Sequence, residues 1–175
     1  MIDPSWTNSL MPLVGPIEKK YPELSTHITN ERKKKKKPES LYLIGSLRNE
    51  EVPSIARSLR ELGIDVFEDW FAAGPEADDY WKKYEQDRGR SYQEALKGYA
   101  ARHVFKFDKH HLDRCDAALL VLPAGKSGHL ELGYVAGSGK SAYILLDEQD
   151  VRWDMMYLFA DEVFLNEGEM IEYFS

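Results

Sequence analysis

Residues 123–146 read PAGKSGHLELGYVAGSGKSAYILL, and the tripeptide Gly-Lys-Ser occurs in them twice. Two chemistries compete for this stretch. One is a phosphate cradled by backbone N–H groups; the other is attack by the single carboxylate between the two copies, Glu131. A phosphate-binding loop needs a glycine five positions before its Gly-Lys pair, because that bend wraps the amides around the anion. Leu120 and Tyr134 occupy those positions, so neither copy fits. Glu131 remains as the candidate nucleophile, since an ionised carboxylate at a ligand crevice can attack an electrophilic carbon. In the first turn of a helix starting at Gly128, its anionic form is favoured by the macrodipole and free N–H groups, and its pKa is expected to be lowered. A glutamate that merely offsets the dipole is the plain alternative.

The elements that must position Glu131 begin after Pro38. Leu41 to Ile44 is a short apolar run ending at Gly45-Ser46, and Ile64 to Phe67, Ala117 to Leu122, Ala142 to Leu146 and Glu162 to Leu165 have the same strand character. Between them lie helical patterns. Asn49 is expected to cap a helix running to about Leu62, with Gly63 as its stop; Ser127 is expected to cap the helix from Gly128 to about Ala136. Ala77 to Lys97 reads as helix broken at Arg88-Gly89-Arg90, followed by helices from about Ala100 to Arg114 and from Glu167 to Phe174.

Apolar strands alternating with helices predict an α/β fold, a flavodoxin-like doubly wound five-stranded parallel sheet of order 2-1-3-4-5 with helices on both faces. Such sheets bind ligands at the strand carboxyl ends. That rule selects Gly45 to Asn49, Asp69 to Gly74 and Ala124 to Glu131. Gly45-Ser46-Leu47-Arg48 is a strand-to-helix turn where free N–H groups and an arginine suit an anion; a polar turn with an exposed arginine is the alternative. Trp70 could stack on a planar ligand while Asp69 reads its polar edge, or Trp70 could simply be core.

The pattern LYLIGSLRN, then Asp108 and Cys115-Asp116 ahead of an apolar strand, then SGHLELGYVAGSGK, resembles the nucleoside 2-deoxyribosyltransferase family and its 2'-deoxynucleoside 5'-monophosphate N-hydrolase relatives. The resemblance spans about residues 41–146. It implies cleavage of an N-glycosidic bond by double displacement at C1' of deoxyribose, without a cofactor. In that scheme Glu131 is the nucleophile, Asp108 assists proton transfer, and Tyr42 lies beside the glutamate. Gly45, Ser46 and Arg48 would hold the 5' end, and Asp69 and Trp70 would line the base pocket. A surface aspartate in a charged run is the alternative for Asp108.

Departures from the family pattern are specific. An aspartate or serine often stands six positions before the nucleophile; here that position is Gly125, with Lys126, Ser127 and Gly128 as substitutes, Ser127 the nearest, in a loop about three residues shorter. Near residue 154 the family brings in a polar side chain from a second subunit. Asp154 would repel a phosphate and accept from a free 5'-hydroxyl, whereas Arg48 suits a phosphate, so nucleoside and nucleotide both stay open. The resemblance also implies a homodimer or higher homo-oligomer with shared sites. A non-catalytic nucleotide-sensing module and an NAD glycohydrolase are the competing functions.

Composition removes several other classes. The 175-residue chain carries −7 overall, but residues 1–38 hold eight Lys/Arg against four acids, leaving about −11 for the rest. An acidic body does not suit duplex DNA, whose affinity comes from phosphate neutralisation. Residues 1–38 read as a basic tail, partly disordered or packed on a neighbour, and 39–175 as the single domain. Lys33 to Lys37 could touch nucleic acid or an anionic membrane, but a solvated linker is the favoured reading. Met1-Ile2-Asp3-Pro4 does not read as a signal peptide, no apolar run reaches membrane length, and one cysteine, Cys115, leads to the expectation of a reducing cytoplasm. His103, His110 and His111 lack metal-ligand spacing, Cys115 has no partnered histidine, and Gly133 and Gly137 suit close helix packing.

Overall fold

The computed structural model describes residues 37–146 and 153–175; the basic run therefore lies outside the described residues except for Lys37. Strand β1 (Ser40–Ile44), β2 (Asp65–Phe67), β3 (Ala117–Val121), β4 (Ser141–Leu145) and β5 (Glu162–Phe164) pair in the order β2-β1-β3-β4-β5. Every pairing is parallel, with Tyr42 opposite both Phe67 and Ala118, and Leu120 opposite Ile144. β3 is buried at all five positions, as a central strand covered on both faces must be.

Strand alternation divides the core. Leu41, Leu43, Leu119 and Leu145 face α1 (Val52–Glu61) and the closing helix, α6 (Glu167–Phe174), where Leu59, Met170 and Phe174 complete the layer. Tyr42, Ile44, Leu120 and Ile144 face the opposite layer, made by α4 (Tyr99–Arg114) and α5 (Lys126–Gly137) through Leu112, Leu132 and Val135. The sheet therefore turns Tyr42 toward the two helices that carry Asp108 and Glu131. Between β2 and α4 the chain inserts a 3-10 turn (Asp69–Ala73), α2 (Ala77–Asp87) and α3 (Tyr92–Leu96). The break falls at Gly89, at φ +69°, and the buried Glu85 carboxylate closes it with a 3.0 Å ion pair to Arg90. No described helix is long and apolar enough to cross a membrane.

Two cap expectations are corrected. α1 begins at Val52 with Glu51 as its cap and Pro53 inside its first turn, where a fixed φ suits a helix start. Asn49 instead is buried in the preceding loop: its Oδ1 accepts from the Glu51 amide at 3.0 Å and its Nδ2 donates to the Leu122 carbonyl at 3.3 Å. α5 begins at Lys126, with Gly125 in the extended cap conformation and no side-chain cap, so Ser127 lies within the first turn rather than before it.

The second Gly-Lys-Ser copy also finds its explanation here. Gly139 turns the chain at φ +77° after α5, a region that favours glycine. Lys140 then reaches back to the end of α4, where its Nζ donates to the carbonyls of Leu112 at 3.2 Å and Cys115 at 2.8 Å, and also to that of Asp113. A cation on the unpaired carbonyls of a helix C-terminus is favourable twice over, by hydrogen bonding and by the macrodipole.

Candidate active site

The strand carboxyl ends open into a cleft of about 1020 Å³. Its floor holds Tyr42, Asp108 and Glu131, supplied by β1, α4 and α5. One wall is the turn Gly45 to Arg48; another is Asp69 and Trp70; Gly125 and Ser127 come from the start of α5. A volume at the top of the usual range for small-ligand pockets, about 300–1,000 Å³, leaves room for a ligand of nucleoside size or larger.

The ionisation of Glu131 differs from the sequence expectation. Because α5 starts at Lys126, Glu131 falls in its second turn, away from the unpaired N–H groups that would favour its anion. Burial, and after it the negative charge of Asp108, push its pKa up to about 7 from an ordinary value of 4.5. Desolvation exceeds the helix dipole at this position. Burial alone raises the pKa of Asp108. Tyr42, 2% exposed, has its pKa raised by burial first and then by the charges of Glu131 and Asp108, so its hydroxyl stays protonated. The three groups thus form one electrostatic unit in a low-dielectric corner.

Aromatic packing fixes this corner. The Tyr42 ring stacks on Phe67 at 5.2 Å, and Phe67 stacks in turn on His111 at 3.9 Å, one turn along α4 from Asp108. Trp70 donates its indole N–H to the Leu43 carbonyl at 2.8 Å, which fixes its ring at the end of β1. Gly45 is required beside it, because a Cβ there would lie 2.8 Å from Val52 Cγ2 and 3.4 Å from Trp70 Cη2.

The remaining expected residues divide. Ser46 Oγ accepts from the Arg48 amide at 3.2 Å, and the Arg48 guanidinium makes a 2.8 Å ion pair with Asp79 of α2. Gly128 does not line the cleft: it is buried against the sheet, where a Cβ would meet Ile44 and Leu120 at 3.0 Å, so its small size serves packing. Asp154 is also absent from the cleft wall of this chain; its carboxylate accepts from the Met156 amide at 3.0 Å and caps the 3-10 turn Met155–Phe159. The apolar side of the cleft, Val104 and Phe105 of α4, was not assigned from the sequence; an apolar pair between Arg102-His103 and Lys106 was the available signal. Nor was Asp79 assigned as the partner of Arg48. Among the described residues, no group of three His, Cys, Asp or Glu side chains gathers as a metal site would require.

No family model matches the sequence, and no curated protein matches it. Among solved structures, the fold is similar to a 2-deoxyribosyltransferase from the psychrotolerant bacterium Bacillus psychrosaccharolyticus, at 18% identity and a TM-score of 0.52. The match covers 77% of this chain and 91% of that one. At this identity the likeness concerns the fold.

Proposed function

We propose that the protein cleaves the N-glycosidic bond of 2'-deoxynucleosides or their 5'-monophosphates through a glutamyl-deoxyribosyl intermediate, passing the sugar to another base or to water. The observation that carries this reading is the pairing of Glu131 with Asp108 beside the buried Tyr42 on one cleft floor. Two coupled carboxyls with a raised pKa are what a nucleophile and an acid need in order to divide one proton between them.

In the proposed reaction an Oε of Glu131 bonds to C1' as the C1'–N bond breaks. The bonding pair leaves with the base, which takes a proton from the Asp108 carboxyl. Water or a second base then attacks C1', releasing the Glu131 carboxylate and returning a proton to Asp108. Tyr42, kept neutral by its surroundings, is available to donate a hydrogen bond to the nucleophile and orient it. Trp70 and Asp69 take the base, while Ser46 and Ser127 lie toward the sugar's 5' end. Asp154 would enter only from a second subunit, and we place the working site in a homo-oligomer on that basis.

The test is a panel of deoxynucleosides, deoxynucleotides, ribonucleotides and NAD, each with and without an acceptor base. Base exchange indicates a transferase, release alone a hydrolase, and release only from NAD the competing glycohydrolase. A 2-fluoro-2-deoxy sugar should leave a covalent adduct on the wild type, seen by mass spectrometry, and none on Glu131→Gln. Absence of both turnover and adduct across the panel would remove the enzymatic reading.

A further inference from the structure

We infer that the 5' end of this cleft is built for an uncharged hydroxyl, so that the substrates are free nucleosides and 5'-monophosphates are disfavoured. The inference rests on the N-glycosidic reading proposed above. It starts from the turn Gly45 to Arg48, which by sequence suits an anion.

Two amides of this turn are already engaged within it. The Arg48 amide donates to Ser46 Oγ at 3.2 Å, and the Asn49 amide to the Ser46 carbonyl at 2.9 Å. The Glu51 amide donates to Asn49 Oδ1 at 3.0 Å, and the Val52 amide to the Asn49 carbonyl at 3.3 Å. The next residue, Pro53, has no N–H at all. The start of α1 therefore presents few donors. It is also flanked by Glu50 and Glu51, both exposed, which occupy the position where an anion would otherwise gain from the dipole.

The arginine is engaged as well. Among the described residues lining the cleft, Arg48 is the one side chain with a fixed positive charge, against Asp69, Asp78, Asp108 and Glu131. Its guanidinium is paired at 2.8 Å with Asp79, next to Asp78. A phosphate reaching Arg48 would have to displace one carboxylate and then lie beside two, with no second cation in the wall to offset them. A 5'-hydroxyl meets no such opposition and needs only hydrogen-bonding partners, which Ser46 and Ser127 supply on this wall.

Asp79 is thus the specificity-determining residue, acting through Arg48 rather than by touching substrate. The test compares a deoxynucleoside with its own 5'-monophosphate by kcat/KM and by direct calorimetric binding. The nucleoside should be preferred by at least about tenfold, the scale of one close like charge at a partly screened site. In Asp79→Asn the ratio of monophosphate to nucleoside kcat/KM should rise by a similar factor. Raising salt from about 20 to about 300 mM should narrow the wild-type gap, because surface charges are screened; a purely structural role of Asp79 predicts that Asp79→Asn leaves the monophosphate-to-nucleoside ratio unchanged. Equal use of the two substrates, or preference for the monophosphate, overturns the inference while leaving the N-glycosidic reading intact. If neither substrate turns over, that reading fails and binding decides: tighter nucleoside binding upholds the inference, whereas tighter monophosphate binding or no binding of either overturns it.

Discussion

The chemistry proposed at Glu131 depends on where a single proton resides. Below about pH 7 the Glu131–Asp108 pair holds one proton, and burial favours that state over two adjacent charges. With Asp108 ionised the resting proton sits on Glu131, whose pKa that charge helps to raise; the reactive arrangement is the other tautomer, with the proton on Asp108 and Glu131 anionic. The wild-type rate should therefore fall as pH rises through about 7, when the last proton is lost and no acid remains. Asp108→Asn changes the sign of this limb. An asparagine cannot protonate the leaving base, so the rate drops by about 10² to 10⁴, and what activity remains needs only the Glu131 anion. It should then rise with pH, with a midpoint below 7 because the neighbouring charge is gone. A pH–rate profile of the two proteins checks this, and an unchanged falling limb in the variant would refute the assignment.

The same pKa makes a statement about stability that needs no substrate. Glu131 ionises at about 7 when folded against an ordinary 4.5, so the unfolded chain loses this proton first. The favourable contribution is complete below about pH 4.5, shrinks as pH rises, and is fully lost above 7. Glu131→Gln, which cannot ionise, should match wild-type stability near pH 4 and exceed it at pH 8 by at most about 3 kcal/mol. Urea unfolding at the two pH values measures the difference. Equal stability at pH 8 would mean that the carboxyl is better solvated than its surroundings indicate.

At the scale of elements, the lysine that tempted a phosphate-loop reading holds two elements together. Lys140, ahead of β4, closes the carbonyl end of α4, the helix that carries Asp108. Lys140→Met should cost about 2 kcal/mol of stability, the range for hydrogen bonds from a charged donor. It should also loosen the end of α4, which hydrogen exchange at Asp113 to Cys115 would register. The strands and their order were legible because buried parallel strands leave unbroken apolar runs, as in Ala117 to Val121. The broken insert was legible because Gly89 interrupts a helical pattern. Helix starts were not, because Ser127 and Asn49 have cap chemistry but the backbone uses Gly125 and Glu51. The Glu131 pKa was misjudged chiefly because its burial, which depends on how α4 and α5 meet over the sheet, cannot be read from the sequence. The two-residue shift of the helix start added to it. The Arg48–Asp79 pair was equally hidden, since it joins residues 31 apart whose meeting depends on how the insert folds back.

At the scale of the whole molecule, an exposed apolar cluster among the described residues lies beside the helix that carries Glu131. Trp153 is 92% exposed and Leu158 88%, and Met155, Met156 and Phe159 beside them are also exposed. A contiguous exposed apolar cluster of this kind suits contact with another surface. The cluster is also held in place. Asp154 caps its turn, and the Tyr157 hydroxyl lies 3.2 Å from Nε2 of His129, whose Nδ1 contacts the Gly125 carbonyl at the start of α5. A partner seated there would therefore press on the helix that carries Glu131, next to the exposed Leu130. If a second copy of the chain is that partner, as the proposed shared site requires, sedimentation at micromolar concentration should show a dimer or larger. Leu158→Asp should shift it to monomer, and specific activity should fall with dissociation while far-ultraviolet dichroism stays unchanged. A wild type that sediments as a monomer with full turnover at every concentration would show that one chain completes its own site and that this apolar turn serves something else.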